Sequence, residues 1–189
     1  MKILVTLLLS ITALFCATYP SFTAEPSAQP ITFGAIGHFI TPYGPTAQRA
    51  PRQGQAAADI PAQIVVDSLY RSSLKDLDNF NYIYVLYYFD KSTHWSPLAY
   101  PPNTHDSTGL FATRSPRRPN PIGLGVIELD SINSTTGILY IKGTDAYNGT
   151  PVLDIKPYIP QFDSRPAPLN EKARTKIGLH LSTPLKESK

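Results

Sequence analysis

Three arginines within five positions, Arg114, Arg117 and Arg118, stand among prolines in the stretch Gly109-Leu-Phe-Ala-Thr-Arg-Ser-Pro-Arg-Arg-Pro-Asn-Pro-Ile-Gly-Leu-Gly125. Pro116, Pro119 and Pro121 each fix their own φ and push the preceding residue toward extended geometry. A backbone stiffened in this way presents guanidinium groups that lose little entropy on binding, which suits a planar anion such as a carboxylate or a phosphate. Gly123 and Gly125 add positions where a ligand or another backbone can approach closely. A proline-rich surface loop with solvated arginines is the plainer account of the same residues.

A second cluster runs Asp145-Ala-Tyr-Asn-Gly-Thr-Pro151 into Val152-Leu-Asp-Ile-Lys-Pro-Tyr158. Asn-Gly followed by Thr-Pro is turn chemistry, and Asp145 and Asn148 can serve as no more than caps of that turn. Asp154 and Lys156 share a strand face by the two-residue period, so a surface ion pair suits them as well as a site does. Ala50-Pro51-Arg52-Gln53-Gly54 carries no signal by itself.

The elements that must position these residues read as strands. Ile31–Ile40 alternates roughly between apolar and polar residues, and Ile60–Val66 and Ile122–Leu129 are further candidates. Tyr82–Phe89 is the most apolar run after the leader, and its aromatic and β-branched content favours a buried strand. Ile138–Gly143 and Val152–Ile155 complete the set, and the polar Asn133–Gly137 between two of them predicts a hairpin. Thr41–Ala58 must be a loop, Leu69–Leu77 a short helical turn, and a short helix can begin near Asn170. Nineteen prolines against eleven glycines argue for turns over long helices. Strands do not alternate with long amphipathic helices, which argues against a doubly wound parallel sheet. The expected fold is all-β: a small, mostly antiparallel barrel with a few short helices.

Length fits one core, and 42 % hydrophobic with 16 % charged residues is globular composition. A formal charge of +3 is too small to argue for nucleic acid without clustering. Lys2, the apolar stretch through Ala17 and the small or polar residues after it read as a signal peptide over 1–24, with cleavage at Ala24; an uncleaved membrane anchor or a mis-assigned start are the alternatives. Its removal takes away Lys2 and Cys16, the only cysteine. The exported chain would then have no disulfide, no cysteine–zinc site and no thiol nucleophile. Residues 25–30 form a linker, 31–166 the barrel domain and 167–189 a polar, basic tail. Export predicts a periplasmic or secreted protein, and a mis-assigned start a cytoplasmic one.

Taken together and in order, Pro51-Arg-Gln53, the Phe111-Ala-Thr-Arg-Ser-Pro-x-Arg-Pro-Asn-Pro-Ile-Gly-Leu124 stretch and Asp145-x-x-x-Gly-Thr-Pro-Val-Leu-Asp-Ile-Lys-Pro-Tyr158 resemble the TsaA-like (TrmO-type) tRNA-adenosine methyltransferase family over roughly residues 31–166. The resemblance implies a β-barrel that binds S-adenosylmethionine, usually as a homodimer with the cofactor near the subunit interface. It implies methylation of the exocyclic amine of threonylcarbamoyl-adenosine beside the tRNA anticodon. Carried over, the cofactor contacts are Pro51, Arg52, Gln53, Asp90, Lys91, Arg114, Leu124, Asp145, Ala146, Tyr147 and Asn148. Arg117, Arg118, Asn120 and Lys156 would face RNA. Asp145 or Asp154 would take the proton released in the transfer, and no metal is implied.

The chain departs from the family pattern around one pocket. Phe80-Asn81-Tyr82 stands where Phe-Ser-His is usual, Asp90-Lys91 replaces a His-polar pair, and Asn148 replaces an acid. His38, His94 and His105 do not occupy the lost positions. An exported, catalytically altered small-molecule-binding protein of the same fold is therefore the rival expectation.

Overall fold

A strand buries one face by turning alternate side chains inward, and Tyr82–Tyr88 follows that rule: Ile83, Val85 and Tyr87 are buried while Tyr82 and Tyr88 face out. The structure, a computed structural model, describes residues 31–51, 59–100 and 107–165. The chain divides into two units, Met1–Thr32 and Phe33–Lys189. Of the first, only residues 31 and 32 are described. The leader, residues 25–30 and the tail from 167 therefore lie outside the described residues, as does the helix expected from Asn170.

Eight strands are described: β1 (Gly37–Ile40), β2 (Pro61–Val66), β3 (Tyr82–Tyr88), β4 (Leu98–Ala99), β5 (Thr108–Gly109), β6 (Ile122–Asn133), β7 (Ile138–Lys142) and β8 (Pro151–Pro157). One short helix, α1 (Pro160–Asp163), follows β8. Six strands close a barrel in the order β1-β2-β7-β6-β3-β8, and β4 and β5 pair separately. Every pairing between these strands is antiparallel. The fold is thus mostly β with a closed six-stranded barrel, as expected. Closure leaves its strands no free row of backbone donors across most of their length. Phe39, Ile64, Val66, Ile83, Val85, Ile127, Leu139, Ile141 and Val152 fill the interior.

The predicted hairpin is present. Asn133 Oδ1 accepts from the Thr136 N–H at 3.1 Å, the Gly137 N–H donates to the Asn133 carbonyl at 2.8 Å, and Gly137 takes φ 76°, which a side chain would strain. The strand expected from Ile31 is shorter than its pattern. Only Gly37–Ile40 is a strand, because β2 ends at Val66 and the chain turns into the 3-10 helix Ser68–Leu74, so residues before Ile36 have no β2 neighbour. The helical turn expected over Leu69–Leu77 divides into Ser68–Leu74 and Leu77–Asn79, separated by Asp76 at φ 64°.

Candidate functional site

One end of the barrel gathers four segments: the loop after β1, the end of β3, the arginine loop before β6, and the β7–β8 connection. Hydrogen bonds fix the first to the last. The Asn148 N–H donates to the Tyr43 carbonyl at 2.8 Å, the Gly149 N–H to the Phe39 carbonyl at 2.8 Å, and the Thr41 hydroxyl to the Ala146 carbonyl at 2.9 Å. The arginine loop is tied to the end of β3 by the Phe89 N–H donating to the Pro121 carbonyl (2.8 Å) and the Ser92 hydroxyl to the Pro116 carbonyl (3.0 Å). These bonds hold segments from remote parts of the sequence together at one end of the barrel.

Asp145 is the electrostatic centre of this end. It is half-buried, and burial raises its carboxyl above the ordinary aspartate range because a charge is costly away from water. Its own backbone N–H, the Tyr87 hydroxyl and the Arg114 guanidinium pull in the opposite direction, since each favours the ionised form. Tyr43 is buried beside it, and burial followed by the Asp145 charge raises the Tyr43 hydroxyl. The outcome is an acid of raised basicity within electrostatic reach of a phenol hydroxyl and a guanidinium.

Gly123 takes part in this arrangement in a way the sequence does not show. A Cβ there would lie 2.3 Å from Tyr87 Cε2 and 2.5 Å from its Cζ. The close approach that the glycine permits is filled by the Tyr87 ring itself, not by a ligand. Phe39 at 5.5 Å and Phe89 at 5.2 Å meet that ring edge-on, so it is caged on several sides.

The structure places Asp145 within electrostatic reach of Arg114 and holds Ala146, Tyr147 and Asn148 in the same connection. It turns other expected contacts to local tasks. Asn148 Oδ1 accepts from the Thr41 N–H at 3.2 Å. Arg118 donates to the Thr113 carbonyl at 2.9 Å and lies 5.6 Å from the centre of the Phe111 ring, bracing its own loop. Asp90 pairs with Lys91, and Arg117 and Asn120 are exposed. Leu124 points outward from β6 with 63 % of its surface exposed. Asp154 pairs with Lys156 at 2.5 Å and lines a separate cleft with Ile36, Leu74 and Leu77, so the two candidate proton acceptors do not share a site. Pro51 is half-buried, and Arg52 and Gln53 lie outside the described residues.

Tyr87 and Tyr43 went unassigned in the sequence reading. Tyr87 carried a signal, because it shares parity with Ile83 and Val85 and so must place a hydroxyl on the buried face. Tyr43 sits in a loop and carried none. Among the described residues no group of three or more His, Cys, Asp or Glu could hold a metal ion, and no helix is long and apolar enough to cross a membrane.

A family model for the tRNA-methyltransferase O N-terminal domain matches residues 38–164. A probable S-adenosyl-L-methionine-binding protein of Pyrococcus abyssi is 38 % identical over 135 residues, 71 % of this chain and 72 % of the relative. The human tRNA (adenine(37)-N6)-methyltransferase is 45 % identical over 95 residues, covering 49 % of this chain and 21 % of that protein. The crystal structure of TrmO from Pseudomonas aeruginosa superposes with a TM-score of 0.61 at 26 % identity, over 76 % of this chain and 62 % of that one. The chain thus spans less than two thirds of the Pseudomonas protein and about a fifth of the human one.

Proposed function

The chain belongs to the tRNA-methyltransferase O family, and we propose from that premise that it binds S-adenosylmethionine at the Asp145 end of the barrel and methylates the exocyclic amine of threonylcarbamoyl-adenosine beside a tRNA anticodon. The observation that carries the reading is the tying together, at one end of the barrel, of the segments that hold Asp145, Arg114, Tyr87 and Tyr43, with Asp145 within electrostatic reach of the other three. This set fits the cofactor chemically. A guanidinium matches its carboxylate, and the acid and the carbonyls of the β7–β8 connection match its ammonium and ribose hydroxyls.

When bound, S-adenosylmethionine supplies a methyl carbon already activated by positive sulfur. The protein's part is then positioning more than strong base chemistry. Arg114 holds the carboxylate, and Ala146, Tyr147 and Asn148 line the cofactor alongside Pro51, Arg52 and Gln53. Asp145 takes the proton that leaves the attacking amine. Arg117 and Asn120, exposed at the rim, meet the RNA backbone, while Arg118 keeps their loop in shape; splayed-out bases of a single-stranded loop are the form in which proteins read RNA. Calorimetry of the full-length protein should register S-adenosylmethionine binding below millimolar cofactor. Absence of heat at millimolar concentration would end the methyltransferase reading.

Asn148 turned to the Thr41 backbone and Asp90 paired with Lys91 favour the second reading, an exported barrel that binds a small molecule without transferring methyl groups. Export is proposed on the leader, and a homodimer on one face of the barrel. There Ile122, Leu124 and Val126 of β6 lie in register with Tyr88, Leu86 and Tyr84 of β3, forming an outward apolar block. Native protein should begin near Glu25 by N-terminal sequencing and sediment as a dimer. An intact Met1 contradicts export by cleavage, and a monomer at micromolar concentration contradicts the dimer.

A further inference from the structure

Phe111 is 81 % exposed, more than any other large hydrophobic side chain among the described residues. Packing does not explain it. It lies on the 3-10 helix Leu110–Ala112, and its neighbour Leu110, 4 % exposed, is the residue that anchors this turn. The turn closes without the ring. The Thr113 N–H and hydroxyl donate to the Leu110 carbonyl at 3.0 and 2.7 Å, and the Leu110 N–H donates to the Pro97 carbonyl at 2.9 Å. The ring is nevertheless held in place. The Arg118 guanidinium lies over it, 5.6 Å from its centre, and is itself fixed by donating to the Thr113 carbonyl at 2.9 Å. One face of a flat apolar surface is thus backed by a cation, and the other is left to solvent.

The surrounding chain is cationic and aromatic. From Ser92 to Pro121 the sequence holds three arginines and a single acid, Asp106. Arg114 and Arg117 are exposed on the same loop, and Trp95 and Tyr100, both exposed, flank β4. β4 pairs with β5, which runs directly into the 3-10 helix of Phe111. Arg114 follows Phe111 by three residues, a reach of at most about 11 Å, so the ring belongs to the same end of the barrel as the arginine loop. Aromatic and basic side chains interleaved on a braced backbone suit an unpaired nucleic-acid strand, because rings stack on bases while guanidinium groups meet phosphates. A closed duplex offers such a ring no free base face.

We propose that Phe111 is a base-stacking platform for RNA: an unpaired base of a single-stranded loop lies on its open face, opposite the Arg118 guanidinium. The proposal rests on the tRNA reading above and adds to it how a base, as distinct from the phosphate backbone, is gripped. The ring takes no part in bond making. It selects an unpaired base and fixes it beside Arg114 and Arg117.

The test uses the full chain and two RNAs of equal length, an anticodon stem-loop and a fully paired duplex, with affinities read by filter binding. Phe111→Ala should weaken stem-loop binding about tenfold to hundredfold and duplex binding less than about twofold. Phe111→Leu, apolar but not flat, should lose as much as the alanine variant, and Phe111→Trp should bind at least as well as wild type. Thermal midpoints should be retained in all three, since the ring lies outside the core. Wild-type affinity in Phe111→Leu, or an equal loss on the duplex, overturns stacking. Wild-type protein that prefers the stem-loop while Phe111→Ala binds it unchanged overturns the platform and leaves the tRNA reading standing. Wild-type protein that binds the stem-loop no better than the duplex removes both.

Discussion

Alanine at position 123 should lower stability by about 2–3 kcal/mol, a drop in Tm of roughly 5–10 °C. The reason is steric. The added Cβ would sit 2.3 Å from the Tyr87 ring, far inside contact distance. A flexible side chain could swing away at little cost, but Phe39 and Phe89 pack edge-on against this ring. The strain must therefore spread into β3 or β6, which pair directly at Tyr87 and Gly123. Gly109→Ala is the control, because a Cβ there meets nothing within 4 Å. It should unfold within about 0.5 kcal/mol of wild type, as surface changes away from special features do. Equal denaturant midpoints for the two variants would show that the ring is not held as described.

Arg114→Ala should raise the dissociation constant for S-adenosylmethionine about tenfold to hundredfold, in line with the ~1.5–3 kcal/mol of a charge-assisted hydrogen bond. Arg117→Ala should leave that constant unchanged and weaken tRNA binding. The two arginines stand three positions apart on the same stiff loop and both are exposed, yet the electrostatic influence of Arg114 reaches the half-buried Asp145. Calorimetry with cofactor and a filter-binding measurement with tRNA separate the two roles. Parallel losses in both measurements for both variants would contradict this division of the loop. Removing Arg114 also removes one of the influences that favour ionised Asp145, so its carboxyl should titrate at higher pH in that variant.

Much of the barrel was legible because local rules happen to agree with the fold. The period-two pattern of Tyr82–Tyr88 and the turn residues of Asn133–Gly137 specify a strand and a hairpin whatever surrounds them. The pattern from Ile31 misled for a complementary reason: alternation shows that a segment could be a strand, but only a neighbour makes it one, and β2 stops too soon. The two-residue pair β4 and β5 was too short to leave any period.

The arginine loop and the Asp145 segment were visible as motifs, since proline stiffening and turn chemistry are properties of neighbouring residues. Their meeting was not. Asp145 and Asp154 look like equal candidates along the chain, nine positions apart, and only the barrel sends one to the end within electrostatic reach of Arg114 and the other to a separate cleft, paired with Lys156. By its type Gly123 offers room for a ligand or another backbone, whereas the cross-strand partner that fills the room comes from 36 positions earlier, at Tyr87. By itself the sequence determined the family, the β-rich architecture and the chemical types present, because composition, periodicity and turn preferences act over a few residues. The tertiary structure alone decided which carboxylate is desolvated and which groups lie within its electrostatic reach. Burial and hydrogen bonding depend on distances in space, which strand pairing sets across the whole chain.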